Sequence, residues 1–483
     1  MYLGIDIGTS SLKAVLIDGE QRILGSRSEE LEVSRPHPGW SEQDPDSWWN
    51  ACLAVLDGLA ADHPKEMAAV KGIGLSGQMH GATLLDASDR PLRPCILWND
   101  GRSAAEALEI SAASERITGN IAMPGFTAPK LIWVKRHEPE IFAKVKTVLL
   151  PKDYVRLKLT GDKASDMSDS AGTLWLATPE RAWSDEMLGL TDLDRSHMPE
   201  LFEGTAATGT LKADLASRWG MTGKVVLAGG GGDNAASGCG VGAVAPGTGF
   251  LSIGTSGVVF VTADRYRGNP EGAVHAFCHA VPGTWHQMGV ALSAAGSLEW
   301  LSEMLDAKPG DLLAPLGDTP EGPSSVVFLP YLSGERTPHN DVKIRGAFLG
   351  LDQADGRTAL ARAVLEGVAF SFRDCLDVLT MPLAEPRRLI AVGGGSRSRY
   401  WLKVIATVLN LPIAVPEDGD FGAAFGAARL GLVAAEDTDP FAVCAPPAIR
   451  EVIEPIPGLV DAYADAHATY SALYPAIKGA MPG

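Results

Sequence analysis

Apolar positions run from Tyr2 to Ile7, break at Gly8-Thr9-Ser10-Ser11, resume from Leu12 to Ile17 and end at an Asp18-Gly19 turn. Short apolar runs bounded by glycine turns predict paired strands, and Arg22 to Gly25 predicts a third, so the chain opens as an antiparallel meander. The same phrase returns in the second half at Phe250-Leu251-Ser252-Ile253-Gly254-Thr255-Ser256-Gly257, again breaking a strand pair with Gly-Thr-Ser. An echo half a chain length away predicts two domains of related architecture, residues 1–245 and 246–483. Their junction, Ala245-Pro246-Gly247-Thr248-Gly249, has the composition of a hinge. Helical spacing marks Thr358–Leu379, with Leu360, Val364, Val368, Phe372, Leu376 and Leu379 on one stripe, and Asp461–Ile477, with Tyr463, Tyr470, Leu473, Tyr474 and Ile477. Strand-like runs ending in glycine fall at Val70–Gly77, Val225–Gly232 and Leu389–Gly395. Strands alternating with helices predict an α/β layer architecture.

Composition narrows the class. At 483 residues the chain has room for more than one core, and its 46% apolar and 21% charged content is that of a globular protein. A formal net charge of −18 argues against a broad surface for nucleic acid or anionic membrane, while leaving room for a local anion site. The six cysteines (Cys52, Cys95, Cys239, Cys278, Cys375, Cys444) show no metal spacing and are expected as core fillers in a reducing compartment. The opening residues carry no basic leader and no apolar run approaches the length of a membrane span, so a cytoplasmic protein is expected.

The chemistry is expected where glycine and hydroxyl residues cluster. A phosphate chain needs several donors close together, and a glycine turn lets backbone N–H groups approach it. Gly8-Thr9-Ser10-Ser11 followed by Lys13, and Gly254-Thr255-Ser256, supply such donors from opposite halves. Singly each is a tight hairpin turn; paired, they would grip one triphosphate. Gly393-Gly394-Gly395-Ser396 follows a strand and precedes a helical run from Ser398 to Leu409, an arrangement that serves phosphate or a flat base as well as close helix packing. Gly72-Ile73-Gly74-Leu75-Ser76-Gly77 matches a dinucleotide fingerprint, but the next residues predict a turn and a strand where that fold requires a helix.

Acids and mixed polar clusters sit at strand ends. Asp6 lies inside the first strand, where a buried carboxylate must be paired; Lys13 and Mg²⁺ beside the phosphate turn are the two candidate partners. Asp233 follows Gly229–Gly232 and opens a run of small residues, as a helix cap or as the acceptor of a proton from an attacking hydroxyl. Gln78-Met79-His80, and Trp98-Asn99-Asp100-Gly101-Arg102, offer the donors, acceptors and aromatic wall that a polyhydroxylated ligand needs; for Arg102 a structural bridge to Asp100 is the other reading.

Asp6 ahead of Gly-Thr-Ser, then Gly-Asp-Asn, a second Gly-Thr-Ser and Gly-Gly-Gly-Ser together resemble the FGGY carbohydrate kinases of the actin-like ATPase superfamily. Pro38–Pro45, Gly77–Gly81, Leu97–Arg102 and Phe328–Pro338 resemble the branch that acts on a five-carbon ketose. The resemblance implies two actin-like (ribonuclease H-like) domains with a catalytic cleft between them. It further implies ATP, Mg²⁺, a small-molecule ketose phosphorylated at its 5-hydroxyl, and a homodimer. Carried over by position, Asp233 is the proton acceptor and Asp6 the magnesium-side carboxylate. Gln78, Met79, His80, Trp98, Asn99, Asp100, Arg102 and Asn234 then form the sugar site. Gly8, Thr9, Ser10, Lys13, Gly254, Thr255, Ser256, Gly394, Gly395 and Ser396 form the nucleotide site. One departure is visible: four glycines precede Asp233 where three are expected, which leaves its reach open. Two other classes compete, a nucleotide-switched actin-like binding protein without sugar chemistry and a nicotinamide dehydrogenase resting on Gly72–Gly77.

Overall fold

Tyr2–Ile7 pairs antiparallel with Ser11–Ile17, which pairs antiparallel with Ile23–Glu30; on its other edge Tyr2–Ile7 runs parallel to Gly72–Gly77. The computed structural model describes residues 1–379, 386–417 and 421–480. Val226–Ala228 continues the first sheet in parallel and Ala207–Thr210 closes it antiparallel. The expected meander is present, with its third strand extended to Glu30, because an exposed edge accepts the polar run beyond Gly25 that apolar patterning does not mark.

The second sheet repeats the plan. Gly249–Ile253 pairs antiparallel with Gly257–Ala263, which pairs antiparallel with Trp285–Ala291. Its other edge runs parallel to Leu389–Val392, then Ile413–Pro416, and Ile449–Ile453 closes antiparallel. His275–Cys278 adds an outer strand. Hairpin, hairpin, parallel, parallel, antiparallel is thus written twice, the ribonuclease H-like plan of the actin-like kinases. The predicted helices form as Arg357–Val378 and Val460–Ala480, and Ser398 caps Arg399–Leu409 by accepting from the Trp401 N–H at 3.3 Å. All six cysteines are buried and free. Among the described residues no helix is long and apolar enough to cross a membrane.

Two helices cross between the sheets. Ala423–Glu436, although drawn from the second half of the sequence, lies on bare backbone of the first sheet. A Cβ on Gly4 would stand 1.8 Å from the Ala424 carbonyl oxygen, and one on Gly74 1.8 Å from that of Ala427. This is what the first two glycines of the Gly72–Gly77 fingerprint do: Gly72 and Gly74 admit a helix, not a dinucleotide. Asp233–Val241 packs in turn against Ala423–Glu436, with a Cβ on Gly426 only 1.7 Å from the Ala236 carbonyl oxygen. Val241 at its end joins Phe250, Phe260, Ile390 and Ala414 in a core of the second sheet. The helix that begins with Asp233 is therefore held by both halves.

Candidate active site

The strand expected over Val225–Gly232 is broken. It pairs as Val226–Ala228, kinks at Gly230 with φ 81°, and resumes as Gly231–Gly232 against Ser76 and Gly77. This kink delivers Asp233 to the first position of its helix. Gly232 occupies the cap position without a side-chain bond, so capping does not explain Asp233. The Asp233 Oδ1 accepts from the Asn234 N–H at 2.7 Å and from Asn234 Nδ2 at 2.9 Å, which orients the carboxylate and uses one donor of the amide that the sequence offers to a sugar. Desolvation pushes the Asp233 carboxyl up to about 6, with these bonds partly opposing it.

A buried ionic cluster pins the kink from behind. The Gly232 N–H donates to Ser168 Oγ at 3.1 Å. Lys152 Nζ lies 2.6 Å from Asp153 Oδ1, 2.9 Å from Asp166 Oδ1 and 3.3 Å from an Asp169 oxygen, all without solvent exposure. Asp169 is held well above the usual carboxylate range by burial despite Lys152.

Asp6 faces the same place. Its Oδ1 is shielded from water and, among the described residues, has no hydrogen-bond donor. Burial, then the Asp233 charge, push its carboxyl up to about 6, with Ser76 and Lys13 drawing it down. Lys13, one of the two partners expected from sequence, stands opposite Asp6 in strand register and bears on its charge. A shielded carboxylate oxygen without a donor, beside a second acid and a phosphate-type turn, fits one Mg²⁺ contact of the sort completed by phosphate oxygens and water.

The turns differ in what they present. At the first, the Gly8 N–H is spent on the Ser11 carbonyl at 3.0 Å. The Thr9 hydroxyl donates to Gln78 Oε1 at 2.9 Å and accepts from Trp98 Nε1 at 3.0 Å. Thr9 is thus bound within the protein by its side chain, while Ser10 is exposed. At the second, Gly254 donates to the Ser256 carbonyl at 3.1 Å while Thr255 and Ser256 are exposed. The Gly393 turn seats directly on it: a Cβ on Gly393, at φ 88°, would be 2.8 Å from Ile253 backbone and 3.1 Å from the Gly254 nitrogen. Gly395 is buried against Ile253 and Trp401, Ser396 Oγ donates to the Gly393 carbonyl at 2.7 Å, and among the described residues nothing crowds Gly394. From this turn a cleft of about 570 Å³ extends to Ser237 and Val241 of the Asp233 helix and to Phe421 and Arg450. That is ample for a nucleotide.

The residues expected at a sugar divide. Met79 is buried against Gly232, where a Cβ would be 3.0 Å from its side chain. His80 adopts φ 70°, and its carbonyl accepts from Lys130 Nζ at 2.8 Å and Thr127 Oγ1 at 3.1 Å. A non-glycine residue held in the left-handed region by two donors marks a site where geometry is imposed. Its Nδ1 lies 2.6 Å from the Gly172 carbonyl, and burial draws the imidazole down to about 3, so the ring is neutral. Phe126 packs edge-on at 4.5 Å, with Phe277 of the second half at 6.2 Å. Trp98 and Asn99 are exposed.

Asp100 and Arg102 correct the sugar-site expectation. Asp100 is buried and accepts from Ser41 N at 2.6 Å and from Arg102 Nη2 at 2.7 Å; Arg102 also bridges to Glu42 at 2.7 Å and lies 3.6 Å over the Trp40 ring. With both charges consumed they build the loop that carries Trp98 and Asn99, the structural bridge that was the other reading for Arg102. Gln78 is buried as well, and its amide serves the Gly8-Thr9 turn.

Sequence reasoning missed Gln43, Lys130, His275 and Arg336. Lys130 is fully buried among carbonyls, and desolvation draws its ammonium down to about 7. Its helical position carries no local signal. Arg336 reaches from the second half close enough to affect both His80 and His275 electrostatically. Gln43 and Arg336 lie in Pro38–Pro45 and Phe328–Pro338, which carry the family resemblance.

Family models for the N-terminal and C-terminal domains of the FGGY family of carbohydrate kinases match residues 1–240 and 249–435. The xylulose kinase of Escherichia coli strain K12 is 50% identical over 440 residues, 90% of each chain. A Brucella ovis crystal structure named "xyloylose kinase" shares 60% identity at a TM-score of 0.98 over 99% of this chain and 100% of its own. The xylulose kinase structure from Rhodospirillum rubrum shares 30% at 0.91 over 99% of each.

Proposed function

Because the chain belongs to the FGGY family of carbohydrate kinases across both of its domains, we propose that it transfers the γ-phosphate of ATP to the 5-hydroxyl of D-xylulose, forming D-xylulose 5-phosphate. The observation that carries the mechanism is the pairing of two partly shielded acids, Asp233 and Asp6, at the helix both halves hold. The sugar O5 forms a bond to the γ-phosphorus as the bond to the bridging oxygen of ADP breaks, and Asp233 accepts the hydroxyl proton. The transition state is loose, so positioning the hydroxyl contributes more than strong deprotonation, and a carboxylate ionised at neutral pH suffices.

Asp6 would hold Mg²⁺, directly or through water, and the ion would neutralise charge on the phosphates. Exposed groups of the Gly8 and Gly254 turns bind the phosphate chain, and the cleft beyond Gly394 takes the nucleoside. His80, Trp98 and Asn99 face the ketose, with Met79 behind them and Asn234 orienting the base.

The test is ADP release with D-xylulose, other pentuloses, glycerol and gluconate. D-xylulose should give a kcat/KM at least about tenfold above every other sugar, a discrimination of about 1.4 kcal/mol. Equal turnover of glycerol or gluconate refutes the ketose assignment. ATP hydrolysis indifferent to all of them favours a nucleotide switch.

A further inference from the structure

Five side chains link the phosphate turn to the sugar side. Trp48 Nε1 donates to Gln43 Oε1 at 3.0 Å, and an indole N–H can only donate, so the Gln43 oxygen faces it. The Gln43 amide nitrogen consequently faces the Thr9 carbonyl at 2.7 Å and that of Glu32 at 3.2 Å. Gln78 Nε2 donates to the same Gln43 oxygen at 2.8 Å and to the Gly8 carbonyl at 3.3 Å, leaving Gln78 Oε1 to accept from Thr9. Trp98 Nε1, again only a donor, requires the Thr9 hydroxyl to send its proton to Gln78. Every direction in the chain is therefore determined.

One end of this chain is buried and the other reaches solvent. Gln43, Trp48 and Gln78 are buried, whereas Trp98 is 36% exposed. The Trp98 backbone abuts Gly125, where a Cβ would be 2.3 Å from its carbonyl oxygen. Lys130 Nζ joins the Gly125 carbonyl to that of His80, each at 2.8 Å. The exposed indole thus belongs to the loop cluster that carries His80 while its N–H belongs to the phosphate turn.

We infer that Trp98 is a positioning residue coupling the two substrates: a ketose packed on its exposed edge steadies the indole, and the indole, through Thr9, Gln78 and Gln43, holds the phosphate turn in the form that binds nucleotide. The inference rests on the kinase reading above. Each ligand then tightens the other by one factor, as linkage requires.

The experiment is calorimetric titration of ADP with Mg²⁺, with and without saturating D-xylulose. The wild type should bind ADP at least about fivefold tighter with the ketose present, the lower end of common couplings. Trp98→Phe, which keeps a ring and removes the N–H, should bring that factor below about two. Thr9→Val should abolish it and Thr9→Ser should retain it, a rescue that separates the hydrogen bond from general loosening, with thermal melts confirming folded protein. Undiminished coupling in Trp98→Phe, absence of coupling in the wild type, or complete loss of D-xylulose binding in Trp98→Phe would each overturn the inference. If the wild type phosphorylates D-xylulose while its coupling ignores Trp98, this inference alone fails; if it turns over no ketose, the functional reading fails.

Discussion

Replacing Asp233 with asparagine should weaken catalysis and strengthen the fold, and pH separates the two effects. Burial raises the Asp233 carboxyl from 3.8 to about 6, so the ionised side chain opposes folding. At about 1.4 kcal/mol per pH unit, the full cost of ionising it in the folded protein is ~3 kcal/mol, and partial solvent contact reduces this to about 1–2 kcal/mol. A group whose folded value is raised contributes stability that is complete below its unfolded value and is lost as pH climbs through the folded one. Asp233→Asn keeps an oxygen to accept from the Asn234 N–H and carries no charge. Its stability should equal that of the wild type near pH 3.5 and exceed it by about 1–2 kcal/mol at pH 8, with the gap opening between pH 4 and 6. Loss of the proton acceptor should lower kcat by about 10²–10⁴ with ADP binding retained. Urea unfolding at half-unit pH steps and ADP release at pH 7.5 measure both. A gap independent of pH, or a variant less stable at pH 8, would refute the argument that burial of this carboxylate sets its properties; substantial turnover would remove it as the base.

The remaining predictions concern the crossing helix and the metal. Gly74→Ala places a methyl group 1.8 Å from the Ala427 carbonyl and should cost at least about 3 kcal/mol in denaturant unfolding or prevent folding; a near-neutral result would mean that helix Ala423–Glu436 is free to shift. Asp6→Asn should raise the Mg²⁺ concentration for half-maximal rate by at least about tenfold while leaving the D-xylulose KM within about twofold, and an unchanged Mg²⁺ requirement would dismiss Asp6 as the ion's carboxylate.

The local signals proved legible where one stretch of chain carries the whole cause. The Gly8 and Gly254 turns interrupt apolar runs, and the hairpins around them form as expected, because cross-strand pairing follows from patterning and turn residues alone. Asp6 was conspicuous as a charge among apolar neighbours. Asp100 and Arg102 misled for the complementary reason: a polar cluster after a strand serves a ligand or itself, and Glu42, Ser41 and Trp40, which decide the matter, are tens of residues distant. Gln78 was recognised as important and given the wrong neighbour, since its partners Thr9 and Gln43 come from separate elements.

The doubled sheet plan, the phosphate-type turns and the acids beside them follow from the order of residues along the chain, since strand periodicity, glycine placement and an isolated charge are properties of short segments. Tertiary structure alone decided that Gly72 and Gly74 receive a helix from the other half, that the Asp233 helix is shared, that Lys130 and Arg336 bear on His80, and that Gln43 reaches the Thr9 carbonyl. Those outcomes depend on close packing and desolvation between segments far apart in sequence, and both quantities exist only once the chain has folded.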